Sequence, residues 1–128
     1  MDIRRTVLLA DANEEFRTLV RKIIDETEEF SVVGSVGDGT EALRLAREEA
    51  PDLILMDVVL PGLDGFALAD AAHGVGLTLP AVFLSAYGGE GVIARARRCG
   101  GSILPKPYGL HHILRRLRAA VCMPETER

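Results

Sequence analysis

The residue around which chemistry could be built is Asp57. It closes the run Asp52-Leu53-Ile54-Leu55-Met56-Asp57 and is followed by Val58-Val59-Leu60-Pro61-Gly62-Leu63-Asp64-Gly65. A carboxylate at the carboxyl end of a buried parallel strand opens into the crevice where open α/β sheets bind ligands. The Pro61-Gly62 turn and the Asp64-Gly65 pair hold a short loop beside it. An isolated Asp in such a place more often ends a strand or caps a turn, so the case rests on its company. Asp11 follows Thr6-Val7-Leu8-Leu9-Ala10, Ser85 follows Ala81-Val82-Phe83-Leu84, and Lys106 follows Ile103-Leu104-Pro105. Clustered carboxylates repel one another unless protonated or neutralised, so a metal cation is their natural counterweight.

Each of these groups needs an element to hold it. Leu53 to Met56, apolar without alternation, is too short for a helix and matches a central strand buried on both faces. Thr6–Ala10, Phe30–Val36, Ala81–Leu84 and Ile103–Pro105 read as further strands. Between the first two, Phe16, Leu19, Val20, Ile23 and Ile24 stripe a helix, with Glu15, Arg17, Arg21, Lys22 and Asp25 on its polar side. Ala42, Leu43, Leu45, Ala46 and Ala50 stripe a second, ended by Pro51, and Phe66 to His73 makes a short third. A fourth buries Val92, Ala96 and Cys99 and turns Arg95, Arg97 and Arg98 outward. A fifth carries Leu110, Ile113, Leu114, Leu117 and Val121, with Arg115, Arg116 and Arg118 on its wet side. Gly34, Gly37 and Gly39 lack the order of a dinucleotide fingerprint and read as turn glycines.

Strands and helices alternating in this way imply an α/β fold: a doubly wound five-stranded parallel sheet of flavodoxin-like topology, order 2-1-3-4-5. That order gathers the ends of strands one, three and five, with Asp11, Asp57 and Lys106, around one crevice. It also makes strand five an edge, where Pro105 removes no ladder bond.

Length and composition fit this picture. At 128 residues the chain is one domain, residues 1–123, with 124–128 a polar tail or the start of a linker. Hydrophobic residues make up 48% and charged residues 27%, a globular balance without an apolar run of membrane-spanning length. Met1-Asp2-Ile3-Arg4-Arg5 lacks the apolar segment of a signal peptide, so a cytoplasmic protein is expected. Cys99 and Cys122 have neither CxxC nor His spacing and read as free thiols. The net charge of −4 conceals an asymmetry: residues 1–64 hold 15 acids and 7 bases, net −8, and residues 65–128 hold 4 acids and 8 bases, net +4. Asp57 lies in the acidic half. The outward arginines read as a solvated face rather than a nucleic-acid surface, given a pI near 5.4 and no interleaved aromatics.

Over essentially its whole length the chain resembles the receiver domains of response regulators. These carry acids after strand one, a phosphoacceptor Asp with a following Pro and Asp-Gly after strand three, Ser or Thr after strand four, and Lys-Pro after strand five. Asp11, Asp57 with Pro61 and Asp64-Gly65, Ser85-Ala86 and Lys106-Pro107 stand at those places. Within the family, Ala10-Asp11-Ala12-Asn13, Val32-Val33-Gly34 and Leu84-Ser85-Ala86-Tyr87-Gly88 are similar to the receiver of the sporulation master regulator. The resemblance implies that Asp57 accepts a phosphoryl group from a sensor histidine kinase or phosphotransfer protein. Lys106 would pair with one phosphoryl oxygen and Ser85 would hydrogen-bond another. Mg²⁺ would be held by Asp57 and the Val59 carbonyl, with Asp11 close by. A cis bond is expected at Lys106-Pro107. Such a domain is a switch rather than an enzyme; it works by dimerising through the fourth helix, fifth strand and fifth helix, or through an attached effector, and any DNA contact belongs to that effector.

Two departures from the pattern bear on function. The second acid after strand one, a direct metal ligand in the family, is Ala12 here, and a methyl cannot coordinate magnesium. Glu14 or Glu15 could reach in, although both stand where a helix amino terminus favours carboxylates. Ile103 occupies the position where many receivers carry a switching aromatic, and the segment from Gly101 to Lys106 is one residue shorter than usual. Three readings follow: a phosphoaccepting receiver; a pseudo-receiver, an interaction module with weak or no Mg²⁺-dependent phosphorylation; and a flavodoxin-like cofactor binder. Asp11-Ala12-Asn13-Glu14-Glu15 argues against the last by repelling phosphate.

Overall fold

The computed structural model describes residues 4–77, 79–86, 89–105 and 110–122. Along the chain run β1 (Arg5–Ala10), α1 (Glu14–Asp25), β2 (Phe30–Val36), α2 (Gly39–Glu49), β3 (Leu53–Asp57), α3 (Gly65–Gly74), β4 (Ala81–Ser85), α4 (Glu90–Arg98), β5 (Gly101–Pro105) and α5 (Leu110–Cys122). The strands pair in parallel in the order β2-β1-β3-β4-β5 expected from the sequence.

Alternate residues of each strand enter different cores, which is why the central strands are apolar at every position. Val7, Leu9, Leu53, Leu55, Val82, Leu84 and Leu104 pack with Val20 and Ile24 of α1 and Ile113 and Leu117 of α5. Leu8, Ala10, Ile54, Met56, Ala81, Phe83 and Ile103 pack with Ala42 and Ala46 of α2, Leu68 and Ala69 of α3, and Ala96 of α4. The sheet is thus the middle of three layers. No helix among the described residues is long and apolar enough to cross a membrane.

Several side chains differ from the expected pattern. Leu19 is 47% exposed, because α1 turns Val20 and Ile24 inward and leaves its neighbour at the rim. Ala50 is not on the α2 stripe but is its C-cap, exposed, with a left-handed φ of 44° that turns the chain out before Pro51. Arg17 and Arg116 are half-buried rather than solvated; Arg116 Nη1 donates to the Ile103 carbonyl on β5 at 2.7 Å. Strand β5 begins at Gly101, two residues earlier than its apolar pattern suggests. A Cβ there would lie 2.5 Å from the Ala81 carbonyl oxygen, so the strand opens on a residue without a side chain.

Arg118 stays on the exposed side of α5 and forks onto Glu29, just before β2, with Nε and Nη2 within 2.6–3.0 Å of the carboxylate oxygens. Hydrogen bonding from Arg118, reinforced by its charge, holds the Glu29 carboxyl below its ordinary value of 4.5 against a smaller desolvation effect. Because the folded pKa is depressed, the stabilisation is present above the unfolded pKa and fades as pH falls through the lowered one. Arg118→Ala is therefore expected to melt slightly below wild type at neutral pH, with the gap closing on acidification below 4.5. Thermal melts across that pH series check it; a gap that persists in acid would mean Arg118 acts by packing instead.

Candidate functional site

Parallel pairing lines up the candidate groups along the carboxyl edge of the sheet. Ala10 is level with Met56, Asp57 with Leu84, and Ser85 with Pro105. Asp11, Asp57 and Ser85 therefore leave successive strands roughly 4.8 Å apart. Asp11 is 3% exposed and Ser85 1%, and they are the buried polar residues among those described. Asp57 is half-buried, whereas Ala12 and Val59 face solvent. Lys106, the Lys106–Pro107 bond and Tyr87 lie outside the described residues; β5 ends at Pro105, beside Ser85.

Both carboxylates are aimed by their own backbones. Asp57 Oδ1 accepts the Val59 N–H at 2.9 Å, and Asp11 Oδ1 accepts the Asn13 N–H at 2.9 Å. Such turns help to hold a carboxylate at a strand end and offset part of the cost of burying it. Asp64 serves a helix instead. It is the N-cap of α3, and its Oδ1 accepts the Ala67 N–H at 2.8 Å. Asn13 and Asp38 cap α1 and α2 in the same manner. Glu14 and Glu15 occupy the first turn of α1 and are exposed.

The loop after Asp57 is gripped from both ends. Gly65 donates to the Val58 carbonyl at 2.8 Å, and a Cβ on Gly65 would lie 2.7 Å from the Asp57 carbonyl oxygen. Only glycine lets α3 start this close to the Asp57 backbone. On the other side Gly39, opening α2, donates to Pro61 at 3.0 Å, and a Cβ there would stand 1.7 Å from the Leu63 carbonyl oxygen. The Asp-Gly pair is thus a cap and a close approach, and Asp57 inherits its position from both.

Arg17 belongs to the site although its sequence position does not single it out. It sits among polar residues of α1, yet its Nη1 donates to the Asp11 carbonyl at 2.9 Å. A signal for it is Gly37, where a Cβ would lie 2.9 Å from that Nη1. Ile103 is buried in the same cluster as Phe83 and offers no aromatic ring to rotate toward Ser85. Cys99 is a buried free thiol, its pKa pushed up chiefly by burial and then by Asp70, and so is poorly reactive.

The sequence profile of the response regulator receiver domain matches residues 7–118. The chain belongs to the response regulator receiver family. Among curated relatives, the transcriptional regulatory protein PdtaR of Mycobacterium tuberculosis is 32% identical over 120 residues, covering 93% of this chain and 58% of the relative. This receiver therefore spans little more than half the length of the curated relatives it matches. Among solved structures, the signal receiver domain of NarL from Mycobacterium tuberculosis superposes with a TM-score of 0.87 at 26% identity, covering 94% of this chain and 98% of that one. The response regulator domain of Thermotoga maritima CheB gives 0.85 at 26% identity, with the same coverage. The finer likeness to the receiver of the sporulation master regulator gains no support from these relatives.

Receiver domains generally bind Mg²⁺ at the phosphorylation site. The donors expected from the sequence, the carboxylates of Asp11 and Asp57 and the carbonyl of Val59, are all oxygen, the kind that suits a hard cation. Ala12 adds none, and among the described residues no three Asp, Glu, His or Cys side chains converge. The set fits magnesium in kind and falls one carboxylate short in number.

Proposed function

We propose that this receiver accepts a phosphoryl group on Asp57 from the phosphohistidine of a sensor histidine kinase or phosphotransfer protein. The observation that supports this reading most is the placement of Asp57: half-buried at the end of the central strand, its Oδ1 held by the Val59 N–H, its backbone closed by Gly65. In the step itself an Asp57 carboxylate oxygen forms a bond to phosphorus as the bond from phosphorus to the imidazole nitrogen breaks, and the freed histidine takes a proton. Because such transition states are loose, positioning and charge neutralisation provide most of the acceleration. Ser85, buried beside Pro105, and Lys106, which follows it, are the groups assigned to the phosphoryl oxygens. Asp11, Asp57 and Val59 would hold Mg²⁺, whose charge would offset that of the phosphoryl group.

The output is a change in dimerisation through α4, β5 and α5, or in an attached transcription-regulating effector. A cytoplasmic setting follows from that role. A second reading, the pseudo-receiver, is favoured by one observation: Ala12 stands where a metal-binding acid is expected. Incubating the chain with a small acyl phosphate, with and without Mg²⁺, separates the two. The first reading expects one hydroxylamine-labile phosphate per chain, dependent on the metal; no phosphate under either condition selects the second.

A further inference from the structure

The loops after β1 and β2 meet at Arg17. One turn further along α1, Arg21 is exposed and pairs with Asp25. Arg17 instead lies half-buried under the crevice, with Nη1 on the Asp11 carbonyl at 2.9 Å. Its Nε is buried without an acceptor among the described residues. A fold rarely leaves a cation's N–H in that state without a reason elsewhere in the side chain. The surroundings are shaped to admit it: Gly37 leaves the space that a Cβ, 2.9 Å from Nη1, would take.

Three contacts among the described residues bear on Asp11. Its N–H donates to the Val36 carbonyl at 3.1 Å, its Oδ1 accepts from Asn13, and its carbonyl accepts from Arg17. Of the three, the Arg17 bond is the one made to the peptide between Asp11 and Ala12. We infer that Arg17 is a positioning residue for the crevice: by pinning the Asp11 carbonyl it sets the direction of the Asp11 carboxylate. This rests on the phosphoacceptor reading of the crevice. With Ala12 supplying no carboxylate, Asp11 and Asp57 are the acids at these strand ends among the described residues, so misdirecting one has a larger effect than it would in a fuller set.

Arg17→Met keeps the stem and removes the donors; Arg17→Lys restores a charge and one nitrogen. Gly37→Ala crowds the guanidinium tip while leaving Arg17 itself in place. Amide hydrogen exchange at Asn13 reports the Asp11 carboxylate, and exchange at Leu9 and Leu55 reports opening of the sheet. Phosphorylation by a small acyl phosphate against Mg²⁺ concentration reports the site. In Arg17→Met the Asn13 amide should exchange about tenfold faster with Leu9 and Leu55 unchanged, and the half-saturating Mg²⁺ should rise about tenfold, the low end for residues that orient a ligand. Arg17→Lys should recover part of both, and Gly37→Ala should show the same local signature if Arg17→Met does not fold. Unchanged exchange at Asn13, or equal acceleration at all three amides, overturns the inference, since either makes Arg17 a packing residue. If wild type takes no phosphate, the phosphoacceptor reading fails, and the exchange comparison alone decides the role of Arg17.

Discussion

Asp57→Asn is expected to carry no phosphate. The amide keeps nearly the shape of the carboxylate, and its oxygen can still accept the Val59 N–H, so the turn at the end of β3 survives. What disappears is the anionic oxygen that attacks phosphorus. Phosphorylation by a small acyl phosphate should fall on the order of a thousandfold or more, the scale seen when a group acting in the chemical step is removed. Stability should not fall with it. Asp57 stands one strand from the buried Asp11, so removing its charge relieves like-charge repulsion. A melting temperature at or above wild type, with no hydroxylamine-labile phosphate by intact mass, is the expected pair of results. Phosphate at the wild-type level on this variant would remove Asp57 from its assigned role.

Ala12→Asp should move the protein the other way. The side chain is exposed at the crevice rim, so a carboxylate can be built there without repacking. Without metal it adds a third negative charge beside Asp11 and Asp57, and the variant should melt below wild type by an amount equivalent to about 1 kcal/mol. With Mg²⁺ the order should reverse. Binding should tighten by about tenfold or more. An ion at 100 times its dissociation constant adds about 2.7 kcal/mol to the folded state, so the melting temperature should climb several degrees with the metal. Phosphorylation should accelerate in parallel. Melting curves and phosphorylation rates against Mg²⁺ for both proteins decide the matter. No gain in either for Ala12→Asp means the crevice lacks more than one ligand and supports the pseudo-receiver reading. A wild type that already matches the variant means another group, such as Glu14, serves the metal.

The sheet order could be read from the sequence because burial on both faces removes alternation, leaving runs such as Leu53 to Met56 that few other structures use. The same physics placed Asp11, Asp57 and Ser85 at strand ends. Local conformation was harder to read. Ala50 has a side chain that suits a stripe, and nothing in its type shows that it turns left-handed to let Pro51 follow. Gly101 broke the apolar pattern that would have marked the true start of β5. Least legible are the arginines. Arg17 and Arg116 have the spacing of a wet helix face, and each spends its guanidinium on a main-chain carbonyl. A long stem lets a charged head reach a buried acceptor while its Cα stays at the surface, and helical periodicity records only the Cα.

The hydrogen bond from Arg116 to Ile103 bears on the outer edge of the sheet. An edge strand is a template onto which a strand from another molecule can add, the first step toward amyloid-like stacking. On β5 that template is incomplete. Pro105 offers no N–H, the Ile103 carbonyl is already taken by Arg116 at 2.7 Å, and the strand is five residues long. An incoming strand would have to displace a charge-assisted bond and would find few partners in return. Copies that meet on this side are left with the side chains of α4 and α5, contacts that can be made and released, where a growing sheet could only be made.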